Sequence, residues 1–354
     1  MLMMWLFLRL SQPQADRPPP RGVAYRLGVL LGVAAAALAA FYAAGGKWQW
    51  TFPPVWSQMS AHRPGVQAAP SLAAAHAESG QDAAAVVPPL APPAAAEPPL
   101  VAEDVFGRQA GLMQRALAGL LPRAGRGPSL YFVAFAADGG QDVFLKEALY
   151  SRQLFEERFG ARHRSLVLAN NRAAVKDLPL ATATNLRQAL AAIGRLMDPE
   201  RDLLFLFLDS HGAPDGSLAV QLDGLSFEPL TAAGLAGMLR DAGIRRKVIL
   251  VSGCYSGSFL PALQDGRTLV MTAAGADRPS SGCGDSAGFT DFARAYFAQA
   301  LRQTRSFTLA FDQARTQVAQ WEARDHRTPS EPQIAGGPAI DAQIARWRRT
   351  LPAD

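Results

Sequence analysis

Two short runs hold the residues best suited to chemistry: Asp209-Ser210-His211-Gly212 and Gly253-Cys254-Tyr255-Ser256-Gly257. Each follows a continuous apolar run, residues 202–208 (DLLFLFL) and 247–252 (KVILVS). Such runs read as strands buried on both faces, the pattern of a parallel sheet. One crossover, residues 213–246, joins them, so the two strands are expected to be neighbours. Open parallel sheets bind ligands beyond the carboxyl ends of their strands. His211 and Cys254 should therefore face each other at one sheet edge.

A thiol and an imidazole so placed suit acyl transfer. The thiolate attacks a carbonyl, and the imidazole takes the thiol proton and returns it to the leaving amine. Gly212 and Gly253 leave room for a substrate backbone. The N–H groups of Gly212 and Cys254 are candidate donors to the tetrahedral oxyanion. A lone cysteine after an apolar strand is more often an inert core thiol; it is the joint pattern, with each residue beside a glycine, that favours chemistry. Ser256 is not a serine nucleophile, because its surroundings lack the G-x-S-x-G register.

The elements that must position these residues alternate along the chain. Strands are expected at 129–136 (SLYFVAFA), 164–169, 202–208, 247–252 and 268–274 (TLVMTAA). Helices are expected at 101–121, 143–159, 185–197, 231–242, 290–303 and 306–324. Asn185 and Gln188 have capping-box spacing. The alternation predicts an α/β fold with a mostly parallel sheet covered on both faces. Gln141 and Asp142, after the first strand, fall on the edge expected to carry the site.

Composition narrows the function. The chain has 354 residues, 49% hydrophobic and 18% charged, enough to build a sizeable core. Its formal net charge is +5, and much of that excess precedes Lys47, so the remainder makes no nucleic-acid footprint. Two cysteines, Cys254 and Cys283, are too few for a disulfide framework. With the histidines scattered, no metal or cofactor is expected.

Residues 27–46 form an uncharged apolar run long enough to span a bilayer. Arg9, Arg17, Arg21 and Arg26 precede it, which places residues 1–26 in the cytoplasm by the positive-inside rule. Trp48, Trp50 and Trp56 suit the far interface. A cleaved signal peptide is the alternative. Residues 47–100 are rich in Ala and Pro and read as a disordered tether. Residues 101–354 form the folded domain.

The segments FLDSHGAPDG and VILVSGCYSGSF resemble the active-site blocks of legumain-like cysteine peptidases, the asparaginyl endopeptidases and the GPI-anchor transamidase catalytic subunit. FVAFAADGGQDVF, TAAGADRPSSGCGDSAGFTDF and PSEPQI extend the resemblance from about residue 129 to about residue 340. It is most similar to bacterial members of the family. The resemblance implies a caspase-like three-layer α/β/α fold, with His211 as base, Cys254 as nucleophile and Gly212 in the oxyanion hole. It also implies a pocket lined by Ser280, Ser281 and Asp291. Two departures stand out. Ser252 replaces an acidic residue two positions before the nucleophile, and GGQDVFLKE lacks an expected arginine-histidine pair. Both reshape the pocket.

The expectation is thus a peptidase domain acting on peptide or protein substrates. It would be held to a bacterial inner membrane by the N-terminal helix, on the periplasmic side. Candidate substrate contacts are Ser252, Ser280, Ser281, Asp291 and Asp142. Asp209 or Ser210 could orient His211, and Cys283 could approach Cys254. Transpeptidation by the same pair, and a non-catalytic binding module on the same fold, are the competing readings.

Overall fold

The computed structural model describes residues 99–123, 125, 127–282 and 287–352. The expected cytoplasmic head, the span at 27–46 and nearly all of the tether lie outside these residues, as does Cys283. Among the described residues no helix is long and apolar enough to cross a membrane.

Six strands form the central sheet: β1 (Leu130–Ala136), β2 (Ser165–Ala169), β3 (Leu203–Asp209), β9 (Lys247–Ser252), β10 (Thr268–Thr272) and β11 (Gln333–Ala335). Their order is β11-β10-β9-β3-β1-β2. All neighbours pair parallel except β10 with β11, which is antiparallel. Every residue of β1, β3, β9 and β10 is buried. Burial on both faces is why these strands read as unbroken apolar runs rather than as alternating ones.

Alternate residues of each strand serve two separate cores. Phe132, Phe205, Phe207, Val248 and Leu250 face one core, and Tyr131, Val133, Leu206, Ile249 and Val251 face the other. The first is closed by helices α2 (Asp142–Arg158), α7 (Phe307–Arg324) and α8 (Pro338–Arg348), and by the helix at 291–303, labelled α6. The second is closed by α1 (Ala102–Ala118), α3 (Ala183–Leu196), α4 (Ala232–Asp241) and α5 (Leu260–Leu263). This is a three-layer α/β/α arrangement, and it fits the caspase-like fold that the resemblance implies.

Local details differ from expectation at several points. The N-cap of α3 is Thr182, whose hydroxyl accepts the N–H of Asn185. Asn185 is therefore inside the helix, and the expected Asn185–Gln188 capping box is not formed. Its side chain instead donates to the Leu180 carbonyl at 2.9 Å. The expected α-helix at 290–303 contains a π stretch, Arg294–Ala300. The crossover after β3 holds a small three-stranded sheet, β4 (Gly212–Ala213), β5 (Ser217–Leu218) and β8 (Leu230–Thr231). Beside it lies the hairpin β6 (Gln221–Leu222) and β7 (Leu225–Ser226). Two-residue strands carry too little pattern to be read from sequence. Trp347 stacks on Phe159 and Phe307 in the first core.

Phe155 sits at the middle of that core, fully buried, with ring centroids of Phe132 and Phe205 each 4.5 Å away. Phe155→Ala leaves a cavity that rigid strands on one side cannot fill. The substitution is expected to cost about 3–5 kcal/mol, measured by chemical denaturation.

Candidate active site

The site is built by the pairing of β3 with β9. The register runs from Leu204 opposite Lys247 to Asp209 opposite Ser252. The N–H of Ser210 continues the ladder by donating to the Ser252 carbonyl at 3.2 Å. His211 and Cys254 each lie two residues beyond this last pair. Equal offset from a shared register brings the two turns to the same height above the sheet.

Beyond the ladder the backbones pack against each other without side chains between them. A Cβ on Gly212 would lie 1.9 Å from the Cys254 carbonyl oxygen and 3.2 Å from its nitrogen. A Cβ on Gly253 would lie 2.7 Å from the Ser210 carbonyl oxygen. Glycine is thus required at both positions to let the turns meet. A Cβ on Gly253 would also lie 3.5 Å from the Gly212 nitrogen, so the backbones of the two turns are in direct contact at the two candidate oxyanion donors.

The base turn is braced from its far side. The His211 carbonyl accepts the N–H of Ala219 at 2.8 Å, and the Ser210 hydroxyl donates to the Ala219 carbonyl at 2.7 Å. The half-buried imidazole meets Phe144 of α2 edge-on, with centroids 5.2 Å apart. Of the two residues expected to orient it, Ser210 is turned to Ala219. Asp209 is turned into the first core, where it hydrogen-bonds Glu147.

Cys254 is half-buried and begins a tight turn. Tyr255 follows it in the left-handed region, with φ 56°. A side chain there costs roughly 1–2 kcal/mol. The turn is held by the Tyr255 N–H, which donates to the Arg278 carbonyl at 2.8 Å. The fully buried Ser256 hydroxyl accepts the Ala274 N–H at 3.0 Å, so it anchors the end of β10. The sulfur of Cys254 accepts the Ser280 N–H at 3.3 Å and lies 3.7 Å from the Ser280 hydroxyl.

The expected pocket residues divide by position. Ser280 touches the sulfur. Ser281 is next to it, and its carbonyl accepts the Asp291 N–H at 3.0 Å. The buried Asp291 carboxylate is held by two arginines, Arg294 at 2.8 Å and Arg327 at 2.5 Å. Ser252 is buried beneath the turn, opposite Asp209. Asp142 is exposed at the start of α2 and accepts from the Asn171 amide at 2.9 Å. Two cavities, of about 460 and 430 Å³, are lined by neither His211 nor Cys254. Among the described residues, no group of three or more His, Cys, Asp or Glu is placed to hold a metal ion.

Sequence reading passed over Phe144, Glu147 and Thr290. One signal was available. Glu147 occupies a core position in the helical pattern Val143, Phe144, Glu147, Ala148, Ser151, Leu154, Phe155, where a carboxyl has no reason to be unless it is partnered.

Gly212→Ala tests the contact between the turns. The added methyl overlaps the Cys254 carbonyl in the tightly held turn after β9, so a loss of at least about 1–3 kcal/mol is expected in denaturation. Gly224→Ala meets no atom within 4 Å, but its φ of 79° makes it a control for backbone strain alone.

No curated protein matches the chain significantly. Residues 185–335 match the model of the Peptidase C13 family. That stretch carries β3, β9, both turns, Ser280–Ser281 and Thr290–Asp291, and the match supports a legumain-like cysteine peptidase family.

Proposed function

We propose that this protein cleaves peptide bonds by thiol acyl transfer, with Cys254 as nucleophile and His211 as general base. The observation that carries the reading is the equal offset of the two residues from the Asp209–Ser252 pair, within the segment that matches the family. A peptidase family implies peptide or protein substrates.

In this reaction His211 takes the thiol proton, and Cys254 Sγ bonds to the substrate carbonyl carbon. The N–H groups of Gly212 and Cys254 hold the oxyanion as it forms. His211 then gives its proton to the leaving amine, and an acyl-enzyme remains. Water completes hydrolysis, with His211 as base for the second half. An amine in place of water gives transpeptidation through the same intermediate. No cofactor or metal enters these steps. Ser280, Ser281 and Ser252 are proposed to shape the pocket. The neutralisation of Asp291 by Arg294 and Arg327 makes it a structural support of that pocket rather than a charge presented to substrate. Asp142 is proposed as an outer substrate contact. We further propose that residues 27–46 anchor the protein in a bacterial inner membrane, with the catalytic domain periplasmic.

Cleavage of a peptide library, wild type beside Cys254→Ala and His211→Ala, tests the reading. Each substitution is expected to lower kcat by roughly 10⁶-fold, as for other nucleophile and base deletions. Equal cleavage by Cys254→Ala overturns it. With an added amine, mass spectrometry of the products separates hydrolysis from ligation.

A further inference from the structure

The buried face of α2 carries two residues that converge on the site. Phe144 packs against the His211 ring. Glu147, one turn further along the same face, hydrogen-bonds Asp209, the last residue of β3. Both carboxyls are fully buried, at 0% exposure. Glu147 Oε1 also accepts the N–H of Thr290.

An ionised carboxylate offers only lone pairs, so two carboxyls that hydrogen-bond each other must hold a proton between them. Burial enforces this, because a second negative charge in the same dry corner is unfavourable. In accord, burial pushes the Glu147 carboxyl up to about 7, against the pull of its hydrogen bonds to Asp209 and Thr290.

The pair is wired to both halves of the site. On one side, Asp209 is two residues from His211. On the other, Thr290 caps α6 by accepting the Ala293 N–H at 3.3 Å. The next residue, Asp291, donates its N–H to the carbonyl of Ser281. Ser281 adjoins Ser280, whose N–H meets Cys254 Sγ. We propose that Glu147 is a positioning residue for the thiol site: sharing one proton with Asp209, it ties together α2, the base turn, and the paired segments Ser280–Ser281 and Thr290–Asp291. This rests on the proposed function only in calling the site a thiol active site.

The other titratable groups on the packed elements do not compete for that proton. Asp291 is engaged by Arg294 and Arg327. His211 stands beyond Phe144. The buried Tyr296 hydroxyl stays protonated, since burial raises it well above its ordinary value. The consequence is a sensitivity to alkaline conditions. Glu147 has a folded-state value raised above its unfolded one, so the folded protein holds more protons than the unfolded chain between about 4.5 and about 7. The pair's contribution to stability is full below that window and is lost as pH rises through it. Above it, two adjacent buried anions repel, and α2 is pushed away from the end of β3.

Glu147→Gln tests this. The glutamine carbonyl can accept from Thr290 and its amide can donate to the Asp209 carboxylate, so the geometry survives with no proton to lose. Three readouts on the full chain are needed across pH 4–9: the melting temperature, iodoacetamide alkylation of Cys254 followed by mass spectrometry, and kcat/KM. Wild type is expected to lose melting temperature as pH rises from about 4.5 through about 7, and to lose kcat/KM by about tenfold per pH unit above that, the dependence of one essential proton. In Glu147→Gln the melting curve should flatten, and the alkylation and kcat/KM profiles should lose that transition. Asp209→Asn, which donates to Glu147 instead, should do the same. Glu147→Ala, which keeps neither bond, should slow Cys254 alkylation at every pH. Superimposable wild-type and Glu147→Gln profiles in all three readouts overturn the proposal. If no peptide is cleaved but the alkylation profiles separate, the peptidase reading fails and this one stands.

Discussion

The parallel pairing of β3 with β9 is the constraint on which the site depends. Strand register has a period of two, and a slip of one residue would exchange every side chain between the two cores. Because both faces are buried, such a slip would drive Phe205, Phe207, Ile249 and Val251 into the wrong core. The register is therefore fixed by packing along the whole strand, and the Asp209–Ser252 pair at its end inherits that precision. His211 and Cys254 are aligned by a core they do not belong to.

A second layer of constraint acts where the ladder stops. The turns after β3 and β9 meet backbone to backbone, which only glycine at 212 and 253 allows. Each turn is then held from outside: the base turn by Ala219 and Phe144, the cysteine turn by Arg278 and Ser280. The strained Tyr255 backbone persists because these neighbours over-determine it. Polar groups are used sparingly and in paired form, as with Asp291 between two arginines and Glu147 against Asp209. Each pairing removes a charge that the dry surroundings would not tolerate alone.

Much of the architecture could be read from sequence for one physical reason. Strands buried on both faces are apolar without interruption, so the runs ending at Leu208 and Ser252 stood out, and their adjacency followed from a single crossover. What escaped was what carries little local pattern. β11 is three half-buried residues, and the strands in the crossover are two residues each. The α3 cap is Thr182, and the Asn185 amide is taken up by Leu180 and by Gln109 of α1, the latter a contact across 76 residues that capping propensity does not register.

The sequence by itself determined which residues are the candidates for the proposed chemistry. Cys254 and His211, each beside a glycine after a buried strand, follow from composition and order alone, as does the family resemblance of the two blocks. Tertiary structure decided what surrounds them. The Ser280 N–H at the sulfur, the edge of Phe144 on the imidazole and the meeting of Glu147 with Asp209 and Thr290 join residues between 26 and 143 positions apart. No local periodicity encodes such contacts. They arise because two cores fix the sheet and its helices first, and the chain ends that emerge on one edge then have few ways to be satisfied.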